Sequence, residues 1–229
     1  MRTLLDPAKS DAFLADFGGM AERVIRAGWF TSLAATVLKL TSPGVPDFYQ
    51  GTELWDLSLV DPDNRRSVDF AARQATLCRL RKRAVGSRLV RDLVDRAGDG
   101  RIKLHVIWTL LHLRAEMPHL FACGSYRSLP VTGALAGHVF AFERRHEEAT
   151  AIVVVPRLVD ALLNRAAAAP VGEEIWADTR VEWGEARADQ VWRNVLTGEQ
   201  VTQASGDALL VADALQTFPV AVLVGDGSD

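Results

Sequence analysis

Apolar residues recur at three- and four-residue spacing through the first part of the chain and at alternate positions through the last. Phe13, Leu14, Phe17, Met20, Ala21, Val24 and Ile25 mark one face of a helix within residues 9–41. Gly28 is expected to break it. A second helix then carries Phe30, Leu33, Val37, Leu38 and Leu40, with Thr31 or Ser32 placed to cap it, and Pro43-Gly44 stops it. Helices are predicted again over 68–84 (Val68, Ala71, Ala72, Ala75, Cys78), 88–96 and 101–116. The last is strongly apolar through Ile102, Leu104, Val106, Ile107, Leu110, Leu111 and Leu113, with Asp99 as its N-cap. Pro118 ends the helical stretch.

Between these helices, Val45 to Gln50 reads as one short buried strand, with Pro46 at its start because proline lacks an amide hydrogen. Residues 51–67 have no period and many turn formers. A loop of that length is above the usual for a connection, and long loops are often functional. A lone strand leaves its backbone donors and acceptors without partners. The simplest repair is a larger sheet that these residues do not encode.

After residue 123 the pattern changes to period two. Strands are expected over 138–144, 151–155, 179–183, 209–211 and 218–224, with a hairpin over 191–201 turning at Thr197-Gly198. Asn164 to Pro170 is an alanine-rich insert. The chain thus reads as α+β: a helical segment with one buried strand over residues 1–122, then an antiparallel β-sandwich over 123–229. No internal repeat is visible.

Composition narrows the function classes. With 229 residues and a formal net charge of -3, the chain offers no electrostatic argument for nucleic acid or an anionic membrane. The first residues carry no signal-peptide core, and no apolar run reaches the roughly 20 residues of a membrane span. Cys78 and Cys123 match no metal or redox spacing and read as free thiols of a reducing compartment. A cytoplasmic location is expected. The histidines show no ligand spacing, and His105 and His112, seven apart, suit packing on one helical face. Asp61-Pro62-Asp63-Asn64 faintly resembles a calcium loop but lacks the glycine and the distal glutamate. No metal or cofactor is expected.

The segment 42–66, from Ser42-Pro43-Gly44-Val45-Pro46 to Asp63-Asn64-Arg65-Arg66, is crowded with polar and aromatic groups of the kind that build sugar sites. Leu38 to Asp56 and Leu59 to Asp69 together resemble a stretch of the maltooligosyltrehalose synthases, members of the α-amylase clan. Asp99 to Leu104, Val153 to Arg157 and Trp192 to Gly198 resemble further pieces of that family. Two local departures stand out: Ser67 replaces the family's usual proline, and His105 sits where an aromatic residue, usually tryptophan, is expected.

The resemblance covers the whole chain but only the C-terminal part of the family's sequence. It implies the end of a (β/α)8 barrel, with Gly44 to Glu53 as the eighth barrel strand and the loop after it, followed by the C-terminal β-sandwich. It implies a reaction that converts the reducing-end α-1,4 linkage of a maltooligosaccharide into an α,α-1,1 linkage. Retention of anomeric configuration fits a double displacement by two carboxyl groups about 5–5.5 Å apart. The clan's catalytic carboxylates come from barrel strands without counterpart here, so no catalytic residue is assigned and the chain is expected to be inactive alone. The missing N-terminal barrel portion, in trans, and the maltooligosaccharide substrate are the partners implied.

The loop after a barrel's last strand lies on the face where active sites of this fold sit. Tyr49, Gln50, Glu53 and Trp55 are therefore candidates for lining the acceptor-sugar subsite, although the two aromatics equally suit a core. Asp61, Asn64, Arg65 and Arg66, with Asp63, could contact sugar hydroxyls or hold the loop by ion pairs; pairing is the commoner role of such charges. Lys103, at a helix start, is expected to face solvent. Trp176, Trp183 and Trp192 are either core or a sugar-stacking platform. That platform is the warrant for the alternative of a non-catalytic carbohydrate-binding module; a purely structural module is a third possibility, and it predicts a large apolar patch on the helical half.

Overall fold

The computed structural model describes residues 4–59, 61–164, 169–183, 191–201 and 208–225. Helix α1 runs from Pro7 to Thr41. The Asp6 side chain accepts from the Ala8 amide at 3.1 Å and Pro7 occupies the first helical position, where its missing N–H leaves nothing unsatisfied. The helix passes through Gly28 without a break, contrary to the sequence expectation. A glycine weakens a helix by roughly 1 kcal/mol relative to alanine but does not end one whose following turns are packed. Phe30, Leu33, Ala34, Val37 and Leu40 supply that packing. Thr31 caps nothing; its hydroxyl donates to the Ala27 carbonyl at 2.8 Å.

The predicted apolar face of the first half of α1 exists but is not covered. Phe13, Phe17, Met20, Val24 and Ile25 are all exposed, Met20 at 58% and Val24 at 62%. Phe13 and Phe17 stack on each other at 5.8 Å.

The strand expected at Val45 to Gln50 does not form. Val45 is 93% exposed, and no described strand lies beside the segment. Extended backbone becomes a strand only where a neighbour takes its hydrogen bonds. Residues 42–59 and 61–69 instead cross the helical half as irregular chain with one short 3-10 turn at Asp63–Arg65.

Four more helices come next: α2 Phe70–Arg81, α3 Ser87–Asp95, α4 Arg101–Glu116 and α5 Pro118–Ala122. The Asp69 carboxylate caps α2 through the Ala72 amide at 2.8 Å. Gly100, not Asp99, is the cap residue of α4, in the left-handed region at φ 79°; Asp99 still accepts from the Arg101 amide at 2.9 Å. Glycine is required at 100, because a β-carbon would stand 3.0 Å from the Trp55 amide nitrogen.

The remainder is two antiparallel sheets. Strands β1 (Ser125–Ser128), β3 (Val139–His146), β4 (Ala149–Pro156), β6 (Trp192–Asn194), β7 (Gln200–Val201) and β9 (Ala221–Gly225) form one, in the order β1-β3-β4-β9-β6-β7. Strands β2 (Val131–Thr132), β5 (Arg180–Glu182) and β8 (Ala208–Leu210) form the other, in the order β2-β5-β8. Pairings such as Val139 with Pro156 and Ala151 with Val224 fix the register. The predicted hairpin turns at Gly198, φ 75°, whose amide donates to the Asn194 carbonyl at 2.8 Å. Short helices α6 (Val159–Leu163), α7 (Glu173–Trp176) and α8 (Val211–Ala214) fill the connections. Residues 165–168 of the alanine-rich insert lie outside the described residues.

One apolar cluster runs from Phe30 on α1 to Val224 on β9 and so joins the helices to the sheets. Two buried polar side chains lock the same junction. His105 on α4 bonds the Leu196 carbonyl through Nε2 at 2.8 Å. Arg144 on β3, 1% exposed, donates to five main-chain carbonyls: Thr41, Leu120, Phe121, Gly124 and Ser125, at 2.8–3.1 Å. Buried charge is tolerated where every donor finds an acceptor. The acceptors here include carbonyls at or near the C-terminal ends of α1 and α5, where helix dipoles favour a cation.

Candidate functional site: the 48–56 segment

Tyr49 opens a tight turn. Its carbonyl accepts from the Thr52 amide at 3.2 Å and the Thr52 hydroxyl at 2.7 Å. Gly51 at φ 92° lets the chain reverse there, and it sits against Val68, whose methyl would stand 3.2 Å from a β-carbon. The turn leaves Tyr49 and Gln50 exposed.

Arg73, from the first turn of α2, clamps the chain just after this turn. Its Nε donates to Glu53 Oε2 at 2.9 Å, its Nη2 to the Gly51 carbonyl at 2.9 Å and its Nη1 to the Asp69 carbonyl at 3.2 Å. The planar guanidinium suits such a multiple contact. Glu53 is therefore an anchored carboxylate, engaged on one oxygen.

Trp55 is half-buried against the core, and its indole N–H donates to the Ala97 carbonyl at 2.7 Å. Its polar edge is thus spent within the protein, which leaves the ring surface as its means of contact. Lys103 is not solvent-facing as expected. Its Nζ lies 3.4 Å from the Leu54 carbonyl and 5.7 Å from the centre of the Trp55 ring. Burial holds the Lys103 ammonium below the usual lysine range; the Lys39 charge adds to this, and Asp56 and Glu53 oppose it. Lys39 itself stands over the Phe48 ring at 3.8 Å. The Asp56 carboxyl is held below its ordinary value, chiefly by Ser58, whose amide donates at 2.9 Å.

The second cluster folds on itself. Arg65 Nη2 donates to Asp61 Oδ2 at 2.7 Å, Arg66 pairs with Asp63, and Asp63 accepts from the Leu59 amide at 2.8 Å. These are local ion pairs, largely exposed except for the Asp63 side chain, and each contributes little to stability. Asn64 Oδ1 is buried without a hydrogen-bond partner among the described residues.

The tryptophans of the β half form no platform. Trp176, Trp183 and Trp192 are each 0% exposed. Trp183 and Trp192 stack at 5.6 Å, and the Trp176 N–H donates to the Pro170 carbonyl at 3.0 Å. The β-domain sugar platform is thereby excluded, because a stacking surface must be reachable. His105 is a core residue; its imidazole is held below the usual histidine range by burial, with the Leu196 contact opposing. Among the described residues no three His, Cys, Asp or Glu side chains are grouped to hold a metal ion, and no helix is long and apolar enough to cross a membrane.

Sequence reasoning missed Arg73, Lys103 and Lys39. Arg73 had a legible signal, since Asp69 caps α2 and a residue in the first turn stays near the preceding loop. The two lysines had none; only the fold brings α1 and α4 to the same loop.

No family model matches the chain. The mixed architecture with antiparallel sheets is shared with α-amylase-family enzymes. A solved α-amylase from Anoxybacillus aligns over 86% of this chain and 32% of its own at 18% identity, with a TM-score of 0.52, a likeness of fold alone. The chain is similar to maltooligosyltrehalose synthases over their C-terminal part only. The solved enzyme from Arthrobacter ramosus matches with a TM-score of 0.73 and 34% identity, over 98% of this chain and 25% of that one. A Mycobacterium tuberculosis protein named as a maltooligosyl trehalose synthase is 34% identical over 197 residues, 86% of this chain. The chain spans about a fifth of the length of the curated relatives it matches, 21%.

Proposed function

We propose that this chain is the C-terminal portion of an enzyme that isomerises the reducing-end α-1,4 linkage of a maltooligosaccharide to an α,α-1,1 linkage. Residues 1–122 are then the end of a (β/α)8 barrel, with Val45 to Gln50 completing its sheet once neighbours are present, and residues 123–229 are its β-sandwich. The enzyme works in the cytoplasm. The segment 49–66 supplies part of the subsite that retains the cleaved glucose.

The observation that carries this reading is the way the 48–56 segment is held. Arg73, Gly51 and the Trp55–Ala97 bond fix its backbone, while Tyr49 and Gln50 stay accessible. A sugar that must turn before water attacks needs such a fixed wall, because orientation is what lowers the barrier for a second bond-forming step. In this reading Tyr49 and Trp55 give the ring an apolar surface, and Gln50 and the second oxygen of Glu53 take its hydroxyls. Asn64 Oδ1, flanked by the Asp61–Arg65 and Asp63–Arg66 pairs, is a further acceptor. None of these groups is asked to break the glycosidic bond. The carboxylates that do so belong to the barrel portion, so the chain by itself is inactive.

The uncovered apolar stripe of α1 favours a second element of the reading, that the barrel portion packs on the helical half. It equally favours a purely structural module docked on that barrel, and one experiment separates the two. The purified chain is incubated with maltopentaose alone and then with the separately expressed N-terminal barrel portion of the enzyme. The expected result is a trehalosyl product only from the mixture, with Tyr49→Ala or Gln50→Ala in this chain raising KM. A trehalosyl product from the chain alone would refute the reading. A mixture whose KM ignores both substitutions leaves only the structural module.

A further inference from the structure

We propose that the surface formed by the end of α2 and the outer face of α3 binds a small anion carrying several phosphate groups. Residues 79–96 hold seven basic side chains against two acidic ones, in a chain whose formal net charge is -3. The balance of the whole chain therefore conceals a concentrated positive field. Arg79, Arg81 and Lys82 close α2, and Arg88 and Arg91 stand three residues apart on α3; all five are exposed. Among the described residues none of the five makes an ion pair, and Arg79 donates only to the Thr76 hydroxyl, at 3.1 Å. Asp92, one turn from Arg88, is already committed to Arg83 at 2.6 Å, Arg101 at 3.1 Å and Arg96 at 3.5 Å. Asp95, the other carboxylate of α3, makes no ion pair among the described residues.

The fold gains nothing from this arrangement on α3. The dipole of α2 favours Arg79 and Arg81 in its last turn, but that of α3 opposes Arg88 in its first, which has no acidic residue and no side-chain cap. Arg79 with Lys82 and Arg88 with Arg91 are like charges at a spacing that destabilises a helix. Local rules broken with no structural return mark a functional surface. Its chemistry selects the ligand. No aromatic residue occurs between residues 71 and 99, so nothing in this stretch stacks on a base. Val85 is its exposed large apolar side chain, and it leans on Gly198. The surface thus lacks the apolar anchor that a protein interface or a membrane wedge needs, and recognition falls to charge. A phosphate gathers up to two charges and three acceptor oxygens on one centre, so a short chain of phosphates can meet several guanidinium forks at once. Carboxylates would have to arrive one side chain at a time.

The probe is inorganic tripolyphosphate, titrated into the full chain by calorimetry at low salt. Saturable binding is expected, weakened by added salt. It should fall at least about tenfold in the double variant Arg88→Glu/Arg91→Glu and in Arg81→Glu/Lys82→Glu. Arg157→Glu/Arg180→Glu makes the same change of charge at exposed cations of the β half and should leave binding intact. Arg88→Glu alone separates binding from folding. It should weaken binding while raising the melting temperature of the free chain, because a carboxylate suits the first turn of a helix. ATP without magnesium is the second arm: tighter binding than tripolyphosphate assigns the site to a nucleotide, equal or weaker binding to a free polyphosphate, and both support it. Absence of saturable binding overturns the inference. So do an equal loss from the β-half variant, equal affinity for a glutamate peptide of the same charge, or an Arg88→Glu chain that melts earlier, since Arg88 would then serve the fold.

Discussion

Arg114 and Arg144 close the same end of α1 from two different elements. Arg114, on α4, donates to the Leu40 carbonyl at 2.8 Å and the Gly44 carbonyl at 3.0 Å; Arg144, on β3, donates to the Thr41 carbonyl at 2.8 Å. A helix leaves its last carbonyls without internal partners, and here two guanidinium groups take them inside the protein. Burial holds both guanidinium groups below the usual arginine range, and for Arg144 the neighbouring Arg114 charge adds to it.

Arg144→Met should therefore be severe. It leaves five carbonyls short of a donor at a buried junction, and a cost of about 3–5 kcal/mol is expected. Arg114→Ala, at a half-buried site, should cost about 1–2 kcal/mol. Urea denaturation of both variants measures this, with equal values for the two counting against the arginine junction.

The Arg73 clamp makes a prediction about order rather than global stability. Arg73→Ala should speed amide exchange of Thr52 to Trp55 while costing only about 1 kcal/mol overall, since the Arg73 and Glu53 side chains are still 21% and 27% exposed. Arg73→Lys should not restore protection, because an ammonium cannot reproduce the planar contact. Exchange mapped by NMR or mass spectrometry decides it.

His105 gives the chain an acid limb. Its folded-state pKa lies below the unfolded value of about 6.5, so below that pH the unfolded chain binds a proton that the folded one resists. The stability present above pH 6.5 is then lost progressively as the pH falls toward the folded pKa. His105→Phe should flatten this limb below about pH 6.5 while lowering stability by about 1–3 kcal/mol at neutral pH, since the Leu196 carbonyl loses its partner. Denaturant midpoints across pH check both halves of the statement.

The two halves of α1 should respond oppositely to truncation. Leu33→Ala, at a fully buried position, is expected to cost about 2–5 kcal/mol. Phe17→Ala and Val24→Ala, exposed in this chain, should stay within about 0.5 kcal/mol. Thermal melts of the three variants give the comparison.

How much of the molecule was legible in the sequence depends on how local each signal is. Helices α2 to α4 and the β6–β7 hairpin were readable because periodicity and the Thr197-Gly198 turn are local, although the cap of α4 fell one residue later than expected. The strand expected at Val45 to Gln50 does not form among the described residues because a strand is defined by a neighbour, and hydrophobicity alone cannot supply one. The break at Gly28 was misread because packing of Phe30 and Leu33 outweighs a single glycine. Of the candidate site, Tyr49, Glu53 and Trp55 were named from their residue types and their place after the expected strand, both of which are local. Arg73 and Lys103 were not, since their roles arise from contacts 20 and 49 residues away in sequence.

The long first helix has a consequence for how the chain melts. The backbone leaves the helical region at Ser10 (φ -141°, ψ 33°), and the turns beyond it, to Thr41, make a rod of about 46 Å at about 1.5 Å per residue. Its inner turns are nailed down by two arginines and the core, while its outer turns lean on little besides the Arg23–Asp160 pair. Warming then unzips the rod from Pro7 inward. Backbone dichroism falls before the buried tryptophans lose their environment, and thermal resistance is graded along α1 rather than a single midpoint for the whole molecule.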